Sequence, residues 1–243
     1  MNRRKFIYNS SIASLSVLGL NSCNQLFRDV KITILHSNDV HSQIEPFPVN
    51  HNRFPGRGGF ARRASIFNEI RSVNPNTLIF DAGDIFQGTP YFNFFQGELE
   101  LKLMKEMGYN AATIGNHEFD AGLDILKKNI LSTNFQFIIS NYDFVNTELE
   151  GLTTPYKIYK KEGIKIGVFG LGIELKGLVN PILYKETKYY DPIEISDEMV
   201  KILKDKQKCD LIICVSHLGH EYNSNKISDT KLAQLTSDID LII

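Results

Sequence analysis

Six residues, Gly115-Asn116-His117-Glu118-Phe119-Asp120, constrain this chain more than any other stretch. They follow a short apolar run, Ala111-Ala112-Thr113-Ile114, and precede an amphipathic run from Leu123 to Leu131. That order predicts a strand, a tight loop and a helix. Loops at the carboxyl ends of strands are where α/β proteins place ligands and chemistry. An amide, an imidazole and two carboxylates in one short loop are more than turning requires.

The rest of the chain repeats the arrangement. Strands are expected over 30–36, 77–82, 111–114, 135–140, 211–216 and 239–243, and helices over 59–73, 98–107, 123–131, 195–206 and 229–235. Gly108 is the expected C-cap of the second helix. Residues 156–161 and 164–170 read as a hairpin turning at Glu162-Gly163. Residues 142–155 read as loop, and 170–192 as a variable stretch. The alternation implies an α/β fold of layered, mixed β-sheets flanked by helices, in one domain over 30–243.

Residues 1–22 are set aside from the fold. They carry three bases (Arg3, Arg4, Lys5) and no acid. Asn2-Arg3-Arg4-Lys5-Phe6-Ile7 resembles a twin-arginine export signal, and Leu20-Asn21-Ser22-Cys23 resembles a bacterial lipoprotein box. The expectation is an exported bacterial protein, periplasmic or lipid-anchored through Cys23, with 23–29 as a linker. Beyond the signal the chain has 24 basic and 28 acidic residues, a net charge of −4. That balance gives no footprint for a nucleic-acid polymer. Three cysteines at these spacings make neither a disulfide framework nor a zinc finger.

Strand ends hold the chemistry. Four of them run into Asp39-Val40-His41, Gly83-Asp84, Gly115-Asn116-His117 and His217. A single loop Asp is usually a turn residue. Four such ends are expected to line one edge, because parallel strands of one sheet end together. Oxygen donors (Asp39, Asp84, Asn116) with imidazoles (His41, His217) suit borderline divalent metals such as manganese, zinc or iron. One carboxylate can bridge two cations, and Asp84 is the candidate. Two metals about 3.5–4 Å apart would clamp a phosphoryl group and lower the pKa of a bridging water from about 15.7 toward about 7.

In this order, Asp39-x-His41, Gly83-Asp84, Gly115-Asn116-His117-Glu118 and His217 resemble the calcineurin-like metallophosphoesterases. The stretches 34–41, 58–62, 81–84 with Gln87-Gly88-Thr89, 115–120 and 216–219 resemble the 5′-nucleotidase branch. The resemblance implies the family's layered metallophosphatase fold and a dinuclear hydrolase of phosphate esters using metal-bound hydroxide. It assigns Asp39 and His41 to the first metal, Asp84 to both, and Asn116 and His217 to the second. His117 would meet the phosphate as the catalytic imidazole, with Asp120 orienting it. The expected substrate is a nucleoside 5′-monophosphate, while cyclic nucleotides, nucleotide sugars and simpler phosphate esters stay open.

The other polar residues are read more plainly: His36 as a core or supporting residue, His51 as solvated, and Arg62 and Arg63 as a solvated helix face. Glu118 is expected to support the start of the following helix, His220 is ambiguous, and 172–180 could line a cleft. The family's closing Gly-His-x-His loop would follow Asp238–Ile243, where this sequence ends. The expectation is therefore a domain lacking its final strands, with two metal shells each one ligand short and weakened metal affinity. A nucleoside-binding domain would be separate. The alternative reading is a catalytically silent fragment or partner subunit.

Overall fold

The strand Thr77–Asp81 (β2) is fully buried, and its alternation lays out the layers around it. Leu78 and Phe80 point to one face and Ile79 to the other, as a pleated strand requires. The computed structural model describes residues 29–243. The expected export signal, Cys23 and nearly all of the 23–29 linker lie outside them. Within them, Ile32–Ile243 form one compact unit.

Parallel strands Thr33–Ser37 (β1), β2, Ala111–Ala112 (β3) and Gln136–Phe137 (β4) form the first sheet in the order β1-β2-β3-β4. The long strand Ile164–Leu171 (β7) pairs antiparallel with Tyr156–Lys161 (β6) and parallel with Leu211–Ser216 (β9). Leu241–Ile242 (β10) adds to β9, so the second sheet is mixed, ordered β10-β9-β7-β6. Glu162 (φ 48°) and Gly163 (φ 87°) turn the β6–β7 hairpin. Both central residues are left-handed, as a type I′ turn demands.

The two sheets face each other. Leu78, Phe80, Ala111 and Ile138 from the first pack on Ile166, Val168, Ile213 and Val215 from the second. Helices Phe60–Val73 (α1), Glu98–Met107 (α3) and Leu123–Ser132 (α4) cover the outside of the first sheet, burying Phe67, Leu101, Met104 and Leu126 with Ile79. Pro192–Lys201 (α6) and Asp229–Leu235 (α7) cover the second, against Phe169, Leu171, Ile212 and Cys214. The result is helix, sheet, sheet, helix.

Several expectations need correction. The helix expected from Ile195 begins at Pro192, because the Asp191 carboxylate caps it by accepting from the amides of Ile193 and Glu194. Its last five residues, Ile202–Lys206, widen into a π turn. Tyr142–Asp143 (β5) falls in the expected 142–155 loop and pairs antiparallel with Lys188–Tyr189 (β8), which like Pro181–Tyr184 (α5) falls in the variable stretch, and Pro90–Phe95 (α2) forms where no element is expected. All are too short for periodicity to reveal. The four polar strand ends do not share one sheet: β1, β2 and β3 belong to the first sheet and β9 to the second.

Candidate metal centre

The backbone past β1 and β2 keeps the two strands zipped into their loops. Asp39 N–H donates to Gly83 O (3.0 Å), His41 N–H to Asp84 O (3.1 Å) and Ser42 N–H to Ile85 O (2.8 Å). The zipped loops are strained. Asp39, His41, Ser42 and Asp84 have φ of 48°, 45°, 52° and 54°. Non-glycine residues reach that region at a cost of about 1–3 kcal/mol each, and such residues cluster at functional sites.

The third loop closes on the second with almost no room. A Cβ on Gly115 would lie 2.3 Å from Asp84 Oδ1 and 2.8 Å from His217 Nε2. Only glycine allows that approach. The His117 amide then donates to Asp84 Oδ1 (2.8 Å). From the second sheet, His217 is held by its own amide, which donates to Leu171 O (2.8 Å).

Around Asp84 the expected residues converge. His217 Nε2 is 3.2 Å from Asp84 Oδ2, and His41 Nε2 is 3.9 Å from the same atom. His41 Nε2 is also 3.7 Å from Asp39 Oδ1. Two triads share Asp84, namely Asp39–Asp84–His217 and His41–Asp84–His117, and within each the donor atoms lie within 4.8 Å of one another. Asn116 lines the same cavity of about 740 Å3 as Asp39, Asp84 and His217, with Ile173 on its wall. Ile173 is the part of 172–180 that borders the cleft. The exposed His220 lines it as well.

The imidazoles fit a cation. His41 Nδ1 lies 3.2 Å from Phe86 O, and His217 Nδ1 lies 2.7 Å from Ala82 O. A carbonyl can only accept, so each Nδ1 carries the hydrogen and each neutral ring turns an Nε2 lone pair toward Asp39 and Asp84. This is how metal-ligating histidines are oriented. The imidazole of His41, 3.7 Å away, leads the forces that hold the Asp39 carboxyl down at about 2. Burial opposes a charge on His217, yet its contact with Asp84 and the charges of Asp84, Glu118 and Asp39 push it up to about 9. His41 is raised too, chiefly by its contact with the Asp39 carboxylate.

His117 stands beside this cluster, its ring edge-on to His41 with centroids 5.1 Å apart. Its Nδ1 meets Asp120 Oδ2 at 2.6 Å, which leaves Nε2 for a ligand.

The surroundings hold residues that the sequence reading placed differently. Glu118 is fully buried, and its carboxylate accepts the amides of Asp84, Ile85 and Gly115 rather than serving the following helix. Burial, then the nearby Asp84 charge, pushes it up to about 7. Arg63 is not merely solvated. It lies 4.3 Å over the Phe60 ring and donates to Tyr109 Oη (3.1 Å). Tyr109 meets Ser37 Oγ at 2.6 Å, Ser37 donates to Asp81 Oδ2 (2.5 Å), and Asp81 accepts the Gly83 amide (3.0 Å). Burial pushes Asp81 up to about 6. Arg62, exposed, donates to Gly56 O (2.7 Å). His51 packs between Phe47 and Phe54 and accepts the Arg53 and Phe54 amides. His36 is exposed, not in the core, on β1 at the edge of the first sheet.

The chain is similar to known proteins over nearly all of its described length. A family model described as calcineurin-like phosphoesterase matches residues 32–243. The chain is 34% identical over 225 residues to a 5′-nucleotidase of Vibrio cholerae, covering 88% of this chain and 39% of that protein. It is 34% identical over 231 residues to an NAD 5′-nucleotidase of Haemophilus influenzae, covering 90% of this chain and 36% of that one. A 5′-nucleotidase precursor from Thermus thermophilus superposes with a TM-score of 0.76 at 30% identity, covering 87% of this chain and 40% of the other. The chain thus spans well under half the length of these relatives.

Proposed function

The chain belongs to the calcineurin-like phosphoesterase family, and from that premise we propose that it is a metal-dependent phosphoric monoester hydrolase acting on nucleotides. One observation carries the proposal: carboxylates and imidazoles from two sheets converge on a shared Asp84, with the His117–Asp120 pair at their side. Asp39, His41, Asp84, Asn116 and His217 would hold two divalent cations. Bound there, the cations supply Lewis-acid charge and acidify a water. Nucleotides are the substrate class because the relatives are 5′-nucleotidases.

The chain's own part centres on His117. Asp120 accepts from its Nδ1, which fixes the ring and leaves Nε2 on its far side. Nε2–H then faces the phosphoryl group. There it stabilises the charge that builds on the phosphoryl oxygens, and it can pass a proton to the leaving oxygen. Asp39 and Asp84 supply the negative charge that retains the cations. The reading of residues 1–22 as an export signal, and of Cys23 as a lipidation site, places the hydrolase outside the cytoplasm in this proposal.

Assays of phosphate release from nucleoside 5′-monophosphates with manganese or zinc test the reading. His117→Ala should lower kcat by ~10²–10⁴-fold while metal content stays near wild type. His217→Ala should lose metal. Wild-type protein that releases no phosphate would sink the proposal, and a metal-free His117→Ala would overturn the division of roles.

A further inference from the structure

Asp84 and Asn116 stand on loops from different strands, and their strand ladder ends before them. The last rung between β2 and the β3 loop is Thr113 N–H to Asp81 O, at 2.8 Å. Beyond it the amides of Asp84, Ile85 and Gly115 lie in the interior with no carbonyl to pair with. Buried amides must find a partner. All three find the same one. Glu118 Oε2 accepts from Asp84 N–H (2.9 Å) and Gly115 N–H (2.6 Å), and Oε1 accepts from Ile85 N–H (2.7 Å).

The three donors are not arbitrary. One is the amide of the shared carboxylate residue itself, and another immediately precedes Asn116. The His117 amide closes the ring by donating back to Asp84 Oδ1 (2.8 Å). A neutral acceptor could not replace the carboxylate. Glutamine at 118 would offer one oxygen and turn an NH₂ group toward converging N–H donors.

We infer that Glu118 is a positioning residue. It touches neither substrate nor the cavity, and it sets the spacing between Asp84 and Asn116 that lets both donors serve cations. The inference rests on the metal-dependent reading above. It is the neighbouring role that typically costs 10–100-fold in metal affinity or activity when removed.

The test is Mn²⁺ calorimetry on the wild type, Glu118→Gln, Glu118→Asp and Glu100→Gln, with amide hydrogen exchange measured in metal-free protein. Glu100 is the control, a second fully buried glutamate, whose oxygens have no hydrogen-bond partner among the described residues. Glu118→Gln should lose roughly 10–100-fold in Mn²⁺ affinity, together with exchange protection at Asp84, Ile85 and Gly115. Glu118→Asp should recover part of both, and Glu100→Gln should keep wild-type values. Wild-type affinity and protection in Glu118→Gln would overturn the inference. Should that variant fail to fold, Glu118→Asp decides: undiminished affinity overturns the inference, and a selective loss at the three amides supports it. Weakened Mn²⁺ binding in Glu118→Gln with no phosphate release by wild type would leave the positioning role standing and remove the hydrolase reading alone.

Discussion

At the centre, Asp84 combines features that would each be costly elsewhere. It is a buried carboxylate at φ 54°, wedged against a glycine, with an imidazole at 3.2 Å. Burial would raise its pKa, but His217 and the His117 amide bring it below the usual value. Around Asp84 the charges therefore balance, with Asp39 and Asp84 ionised and His217 protonated. A cation must displace that proton before it can bind. His217, raised to about 9, is protonated at neutral pH and gives up its proton as pH climbs toward that value. Asp39, held down at about 2, is already ionised and releases none. Metal affinity should therefore strengthen by about tenfold per pH unit between pH 6 and 8 for each proton displaced. Calorimetry in buffers of different ionisation enthalpy checks this, and a flat profile would refute it. The residue types at this site were legible in the sequence, since each follows a recognisable strand. The tautomers were not, because they are fixed by the carbonyls of Phe86 and Ala82.

Among the elements, α3 was the most readable. Its expected bounds match the observed Glu98–Met107, and Gly108 caps it at φ 74°. Ten residues with a clear apolar face between two glycines leave little ambiguity. Yet the same helix contains the least expected side chain, Glu100, which points inward in the first turn with both oxygens unpartnered among the described residues. An unpaired buried polar group costs about 1–3 kcal/mol. Replacing Glu100 by leucine should remove that cost and raise Tm by about 2–12 °C, as read by calorimetric or circular-dichroism melting. An unchanged or lower Tm would show that the carboxylate has a use. By contrast, the Glu98–Lys128 pair at 2.8 Å is exposed on both sides and contributes little. Elements shorter than two turns or three rungs, such as α2, β5 and β8, escaped the sequence because they lack a full period. Long-range pairing stabilises them instead, as where Tyr142 meets Tyr189 across β5 and β8.

For the molecule as a whole, the site lies where two sheets meet. Asp39, Asp84 and Asn116 follow strands of the first sheet and His217 follows β9 of the second. The hydrophobic interface behind them, from Phe80 to Val215, fixes the two sheets face to face. A cation bound at the site ties the sheets together, and so it should stabilise the fold as well as the reaction. At free metal of 100 times Kd the gain is about 2.7 kcal/mol for one site, or about 5–11 °C in Tm for a chain of this size. Chelation by EDTA should remove that increment in the wild type, and His217→Ala should show none. Equal melting with and without EDTA would mean that the cluster holds no cation.

Sequence alone pointed to the candidate residues of the site, because polar groups at strand ends are local patterns of a few residues. It also determined the α/β layering, since apolar periodicity is local too. Only the tertiary structure decided which of those residues meet. It brought His217 onto Ala82 across a separation of 135 residues. It turned Glu118 from a helix support into the partner of loop amides 33 and 34 residues away. It put His36 at an open edge and drew Arg63 into the chain of contacts that ends at Gly83. The reason is physical. A strand's own sequence records its pleat and its burial, but not which sheet covers it, and every one of these outcomes depends on that covering.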